Sequence, residues 1–456
     1  MKRRIKAILT AVLVVSGCTA PQSSSSLTSS SSDADYAAFE EEHTFIDSLE
    51  EEALIQPSRT IASLEDFIYV LDYMAFYRIG EEIWFDIDPA YGETFYNPYQ
   101  EFQKAYKQSD LADVYACQLN DGYYTQLNVV GIKYSMSKDI ASAVPENNPD
   151  TPVVPSFDYE LKGRGDYMPL IEASNALQIP CENGEQLYYL AMNGYVPYPV
   201  EGSVAEELYN AAREVLAARI NEDMSDFEKI KAVYDYLTTE VRYDYDTAYS
   251  SDTYLVKEQA YYLEGVFFNH LAVCDGKAKA CALLLNMIGI PCYRQTGKSE
   301  TGDHAWNMAE IDDMWYVMCT TYGQSDLSES LDRLVPNYSV FLSGKDTAYG
   351  EEGWGYVPEK HLDIVELLEE EPYPYFEEMG KRDEVSLCVE SMEETAALLD
   401  SIAHTGEYKA EILYTGEDVS TFEQELTAYL ADKENMNAMP IKNERGQAYV
   451  IICLNK

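Results

Sequence analysis

The sequence predicts an α+β fold, and three observations carry the prediction. Apolar residues at helical spacing (Phe67, Val70, Leu71, Met74) alternate with short runs rich in branched and aromatic residues, such as Ile83-Trp84-Phe85-Asp86-Ile87. An apolar stretch over residues 278–287 is introduced by Val273-Cys274-Asp275-Gly276. Two strand-like runs follow it, Asp303-His304-Ala305-Trp306-Asn307 and Met314-Trp315-Tyr316-Val317-Met318-Cys319-Thr320. The order Ser-x-Glu, helix, strand, helix, strand occurs near both ends, opened by Ser63-Leu64-Glu65 and Ser391-Met392-Glu393. Together these predict a central domain flanked by two small α+β modules.

A length of 456 residues suits two to four domains, and an apolar fraction of 46% is ample for packed cores. The chain has 32 Lys+Arg against 80 Asp+Glu, a formal net charge of −48. A field of that sign repels phosphate backbones and anionic head groups, so nucleic acid is excluded as a partner. The ordinary consequence is a solvated, self-repelling surface. Nine cysteines without a C-x-x-C pair, and only five histidines, do not make a zinc site, so no metal or other cofactor is expected.

The elements then follow in order. Residues 1–18 read as a signal peptide, with a basic start at Lys2, Arg3, Arg4 and Lys6 and an apolar core too short to span a bilayer. Val15-Ser16-Gly17-Cys18 resembles a bacterial lipoprotein lipobox. That resemblance implies cleavage before Cys18, a lipid on its thiol and an extracytoplasmic, membrane-anchored location. Residues 19–57 are serine-rich and then acidic, a tether that cannot bury enough apolar surface to order itself. Residues 58–142 form the first module. Ser63 caps a helix with Glu65 and Asp66 in its first turn, residues 83–87 are a strand, residues 98–106 a second helix and residues 123–134 a strand. Residues 143–200 are a linker and lead-in, rich in Pro and Asn over 145–155. Residues 201–345 hold the central domain, with a helix over 201–219 and another opened by the capping-box pattern Ser225-Asp226-Phe227-Glu228. Residues 346–382 are a loop-rich connector. Residues 383–456 form the last module: strand 385–389, helix 391–403, strand 408–414, helix 419–430 and strand 449–454. With Glu82-Ile83 set against Glu411-Ile412, its order repeats the first module, as an internal duplication or as two unrelated modules of common type.

The central stretch carries the chemistry. A thiol attacks acyl carbon as thiolate, and its free pKa of about 8.5 must be lowered, by a helix N-terminus or a neighbouring imidazolium. Cys274 has the first device if a helix begins at Asp275 or Gly276 and ends at Gly289. Gly276 leaves the sulfur open to a substrate, and Lys277 adds a cation that opposes the helix dipole but helps to hold a thiolate. His304 would supply the second device, with a third group on the next strand fixing its tautomer. Trp306 and Trp315 would wall the site from water.

These residues carry a resemblance. Val273-Cys274-Asp275-Gly276 with Ala278-Lys279-Ala280, then Gly289-Ile290-Pro291, Arg294 and Gly297, then His304-Ala305-Trp306-Asn307 and Trp315-Tyr316, resemble the bacterial transglutaminase-like domain over about residues 204–322. The preceding Phe227, Lys229, Ile230 and Tyr234, and Val241-x-Tyr243-Asp244, extend it. The resemblance implies a papain-like fold, cysteine peptidase or amide acyltransferase chemistry on a peptide or cell-wall glycopeptide, Cys274 as nucleophile and His304 as base and then acid. It also implies an Asp where Cys319 stands and an aromatic where Lys277 stands. Cysteine is a weak acceptor without charge when protonated, and losing a triad carboxylate costs about 10⁴ in rate. Asp312 or Asp313 could substitute from the turn between the strands, whereas Asp303 alternates to the face opposite His304. Cys319 could instead act through a water, or form a disulfide with Cys274 in an oxidising compartment. The expectation is a lipid-anchored surface protein capable of thiol-dependent peptide hydrolysis or amide acyl transfer. The alternative is a degenerate, non-catalytic binder of envelope peptide or glycopeptide.

Overall fold

The computed structural model describes residues 60–134, 179–324, 334–405 and 409–454, apart from short stretches at 96, 110, 113–116, 121–128, 196, 250–256, 301, 335, 351–353, 384–387, 417, 432, 434–435 and 443–447. Cys18 with its signal peptide, the tether and the 145–155 linker lie outside the described residues. Residues Pro57–Lys456 make one compact unit of mixed helices and strands. Among the described residues no helix is long and apolar enough to cross a membrane.

The first module runs β1 (Thr60–Ile61), α1 (Leu64–Phe76), β2 (Ile83–Ile87), α2 (Pro98–Gln108), β3 (Cys117–Asn120) and β4 (Val129–Tyr134). Ser63 caps α1 by accepting the Asp66 N–H at 3.0 Å, and the Asp66 carboxylate in turn accepts the Ala62 N–H at 2.9 Å. Phe67, Val70, Leu71 and Met74 form the buried stripe of α1, as their spacing predicts. The sheet order is β1-β2-β4-β3, with β1 parallel to β2 and the other pairs antiparallel.

A shorter copy of the same opening follows: β5 (Pro180–Cys181), α3 (Gly184–Met192) and the parallel β6 (Tyr198–Pro199). Asn183 caps α3, and Gln186 accepts the Glu182 N–H at 2.7 Å, the same reciprocal pattern in other residue types. The change of residue types hid this copy from sequence reading.

The central domain continues with α4 (Val204–Arg219), α5 (Asp226–Thr239), β7 (Arg242–Tyr243), α6 (Leu263–Phe267), β8 (Leu271–Ala272), α7 (Cys274–Met287), β9 (Cys292–Ser299), β10 (Gly302–Ile311) and β11 (Met314–Met318). The capping box at Ser225 and Glu228 forms as expected. Every residue of α7 after Cys274 is buried, because the helix lies between the sheet on one side and α3, α5 and α6 on the others. Gly289, at φ +82°, ends it in the left-handed conformation that its missing Cβ makes inexpensive. The sheet order is β11-β10-β9 followed by β12 (Val357–Pro358), antiparallel throughout.

Strand β12 (Val357–Pro358) comes from the segment read as a loop-rich connector. That segment also carries helices at Tyr375–Asp383 and at shorter stretches. Short elements of irregular composition leave no periodicity to detect.

The last module runs β13 (Cys388–Val389), α8 (Met392–Thr405), β14 (Lys409–Tyr414), α9 (Val419–Ala431), β15 (Met436–Lys442) and β16 (Ala448–Leu454). Its sheet order, β13-β14-β16-β15, and its strand directions reproduce the first module's. Ser391 and Glu394 repeat the cap, at 3.2 and 2.8 Å. The shared register shifts the sequence alignment by two residues. Ile61 pairs with Ile87 and Val389 with Tyr414, so Phe85, not Ile83, corresponds to Ile412, and each faces a buried valine (Val130, Val450). A shift of two keeps the same face of a strand, which is why the pattern alone did not reveal it.

Candidate active site

Helix α7 begins at Cys274 itself, with Val273 as cap residue and no side-chain cap. Its leading N–H groups are thus left for other acceptors. The Asp275 N–H points at Cys274 Sγ, and so does the backbone N–H of Ala305 on β10. Burial and the Asp275 carboxylate outweigh these donors and push the half-buried Cys274 thiol up to about 12, so at neutral pH it rests protonated. Gly276 does not clear a path to the sulfur, as its position suggested. A Cβ there would overlap the Ala260 carbonyl oxygen, so glycine is needed for α7 to pack against the preceding turn.

The start of α7 is pinned by a buried ion network. Asp275 pairs with Arg294 on β9 and with Lys279 at 2.9 Å. Lys279 reaches Glu185 at 3.2 Å, and Arg78 bonds Glu264 at 2.7 Å within reach of Glu185. Three cations and three carboxylates balance, which is what burying them requires. Burial opposes ionisation of Asp275, but Arg294 and Lys279 hold its pKa below the usual range.

His304 lies on β10 opposite Gly297 and is buried among Trp306, Tyr322 and Tyr356, whose ring centroids stand 5.9, 5.1 and 5.2 Å from its own. Its Nε2 is 3.3 Å from Cys319 Sγ. Burial lowers its pKa to about 4, and among the described residues no carboxylate acts on it to raise it. Cys319 follows the last residue of β11, fully buried, in the position implied for an Asp. Its sulfur also accepts the Tyr322 N–H at 3.4 Å. Cys274 and Cys319 are both free thiols, so the disulfide option is not realised.

The carboxylates considered as substitutes stand elsewhere. Asp312 and Asp313 take consecutive positive φ angles, 54° and 63°, in the two-residue turn joining β10 to β11, at the end of the hairpin remote from His304. Asp303 is exposed and pairs with Lys298. Of the two tryptophans, Trp306 lies beside His304 and packs on Tyr356 at 4.6 Å. Trp315 does not. It sits across from Glu310, six residues or about 20 Å along the strand from His304, and packs on Tyr293 at 5.4 Å.

Two residues of the site escaped sequence reasoning. Tyr322 and Tyr356 lie in irregular segments. Tyr356 is brought in by β12, which can approach only because Gly297 has no Cβ to strike the Val357 carbonyl. Lys277 was read as a cation near Cys274; its amine is instead fully buried without a hydrogen-bond partner, and Cys319 is the ionisable group that acts on it. Among the described residues, no group of three or more His, Cys, Asp or Glu side chains is placed to hold a metal ion.

Residues 214–319 match the transglutaminase-like superfamily. Kyphoscoliosis peptidases of Mus musculus and Homo sapiens are 24% and 25% identical over 140 residues, which cover 28% of this chain. The chain spans only 20% of the length of those relatives. A solved TGase structure is 24% identical over 26% of this chain and 31% of its own, with a TM-score of 0.22. The family match begins in α4 and ends at Cys319, so it encloses α7 and the whole β10–β11 hairpin: this chain carries a transglutaminase-like domain.

Proposed function

We propose that this domain performs thiol-dependent chemistry on amide bonds, peptide hydrolysis or amide acyl transfer, at the outer face of a membrane. The observation that carries the reading is the convergence of α7 and β10: the Ala305 N–H, next to His304 on the strand, points at Cys274 Sγ, and His304 Nε2 lies 3.3 Å from Cys319 Sγ. Nδ1 would take the Cys274 proton as the sulfur attacks the amide carbonyl carbon, and the Cys274 backbone N–H would stabilise the oxyanion. The imidazolium would then protonate the leaving amine, and water or a second amine would resolve the thioester. The substrate class is a peptide or cell-wall glycopeptide. A lipid on Cys18 and the tether after it would hold the domain away from the membrane surface.

A second reading is a non-catalytic peptide or glycopeptide binder on the same scaffold. It is favoured by the neutral resting state of Cys274 and His304 and by the missing carboxylate. Iodoacetamide separates the two. For the enzyme reading, Cys274 alkylates faster at pH 7 than a free thiol, and both Cys274→Ala and His304→Ala abolish the fast phase. Alkylation no faster than a free thiol and indifferent to His304→Ala leaves the binder. Anchoring is tested by radiolabelled palmitate, which Cys18→Ser should prevent from being incorporated.

A further inference from the structure

The segment that carries Tyr356 into the site is too short to hold itself there. Strand β12 has two residues, stands at the edge of its sheet and pairs with Lys298 and Gly297 at the far end of β9. So short an edge pairing opens easily. Tyr356 itself packs against Trp306 and His304, at 4.6 and 5.2 Å between ring centroids, and its N–H bonds the Ala348 carbonyl at 3.1 Å. These contacts fix the strand from upstream. What fixes it from downstream is Lys360, four residues after Tyr356.

Lys360 is 3% exposed and reaches into the first module. Its Nζ donates to the Ser109 carbonyl at 2.8 Å and to the Ala112 carbonyl, and lies 5.0 Å from the centroid of the Tyr106 ring. Ser109 caps the C-terminus of α2. The last carbonyls of a helix lack intrahelical partners and the dipole there is negative, so an ammonium suits the place. The receiving loop is held in turn. Buried Asp72 of α1 accepts the Ser109 hydroxyl at 2.5 Å and the Leu111 N–H at 3.1 Å, and Ser109 Oγ accepts the Ala112 N–H at 2.7 Å. Beside this anchor Lys107 of α2 pairs with Glu359 at 3.0 Å. The module is also fastened to the central domain, by Arg78 to Glu264 at 2.7 Å and by the Tyr134 hydroxyl to that of Tyr262 at 2.8 Å. Directly after Lys360 the chain turns at His361, φ +46°, a left-handed conformation that a non-glycine residue keeps only where its surroundings hold it. The family match, residues 214–319, contains neither end of this link.

We propose that Lys360 is a positioning residue of the candidate active site: anchored at the C-terminus of α2, it holds the strand that keeps Tyr356 over His304, which makes the first module a working part of the thiol centre. It acts through Tyr356 rather than by contact with Cys274 or His304. Held in place, Tyr356 covers the His304 ring and keeps water from it. The link rests on the thiol-chemistry reading for its role but not for its existence, and the experiment separates the two.

The test reads the His304 ring in full-length protein. The chain has five histidines, and with ¹³C-labelled histidine the signal lost in His304→Gln identifies this one. In the wild type it should titrate at about 4. Releasing the strand hydrates the ring, and because burial favours the neutral form, the midpoint must rise. The titratable side chains against the ring are Cys319, Tyr322 and Tyr356, none of them a carboxylate or a cation, so hydration is the cause that changes. Lys360→Met, which keeps the side-chain length and removes the amine, should raise the midpoint by about one unit or more, towards the free value of about 6.5. His270, which directly precedes β8, should keep its own midpoint, as a general loosening of the fold would not allow. Tyr356→Leu should raise the His304 midpoint as far, and adding Lys360→Met to it should bring no further rise, since both remove one contact. An unmoved midpoint in Lys360→Met overturns the proposal. Rises that add overturn it too, because the lysine would then act by its charge and not through Tyr356. If Lys360→Met does not fold, hydrogen exchange in the wild type decides: the Glu359 and Leu111 amides should open together, and a Glu359 amide that exchanges while Leu111 stays protected overturns the link. A Cys274 that alkylates no faster than a free thiol, in protein whose His304 shifts as described, supports the anchor and refutes the amide chemistry instead.

Discussion

Replacing Gly297 by alanine adds a single methyl group and should cost far more than a methyl usually does. The new Cβ would overlap the Val357 carbonyl oxygen and lie 3.0 Å from Trp306 Cη2. Both are backbone or packed ring atoms that cannot swing aside, so β12 must leave the edge of the sheet. That breaks the two pairs Val357–Lys298 and Pro358–Gly297 and the Glu359 N–H to Thr296 carbonyl bond at 2.8 Å. At about 1 kcal/mol for each of these three backbone contacts, plus about 2 kcal/mol for exposing the buried Tyr356 ring, the loss comes to roughly 5 kcal/mol. Urea unfolding followed by tryptophan emission should show the midpoint falling while the slope stays unchanged. Cys274 alkylation should change as well, because Tyr356 lines the site. A loss below about 1 kcal/mol with unaltered alkylation would show that β12 is not seated against Gly297 and that Tyr356 reaches the site by another route.

Two further outcomes follow from the buried charges. Asp275→Asn leaves Arg294 and Lys279 short of an anion and should lower stability by about 3 kcal/mol, read as a fall in melting temperature; a neutral effect would mean the network is solvated. His361 packs against Tyr293 at 5.0 Å, and burial, then the Lys360 charge, depresses its pKa to about 3. The fold therefore prefers the neutral ring, a contribution present above the unfolded value of about 6.5 and lost as pH falls towards about 3. His361→Gln should flatten the dependence of melting temperature on pH across that window, and an unchanged slope would remove His361 as its source.

Much of the fold was legible because its signals are local. The stripe Phe67, Val70, Leu71 and Met74, the caps at Ser63, Ser225 and Ser391, and the Gly289 stop each depend on residues within a turn or two, and each forms where its chemistry placed it. What escaped was short or paired at a distance. Strand β12 has two residues, and the shortened copy at β5–α3–β6 uses Asn183 and Gln186 where the outer modules use serine and carboxylates. The two-residue slip in aligning the outer modules conserves strand face, so only the ladder register could expose it.

The sequence by itself determined that a cysteine opens an apolar helix, that a histidine follows on a strand, and that the next strand ends in cysteine rather than aspartate. These are matters of residue type and order along the chain. Only the tertiary structure decided what that cysteine touches. It excluded Asp303, Asp312 and Asp313 by placing them in solvent or in the remote turn, and moved Trp315 out of the site. It also buried the Lys277 amine without a hydrogen-bond partner, because α7 is packed on every side and a lysine within it has no route to solvent. Hydrogen-bond direction and the balance of buried charge are properties of neighbours in space, and for Cys319 those neighbours come from α7, β10 and the segment leading into β12.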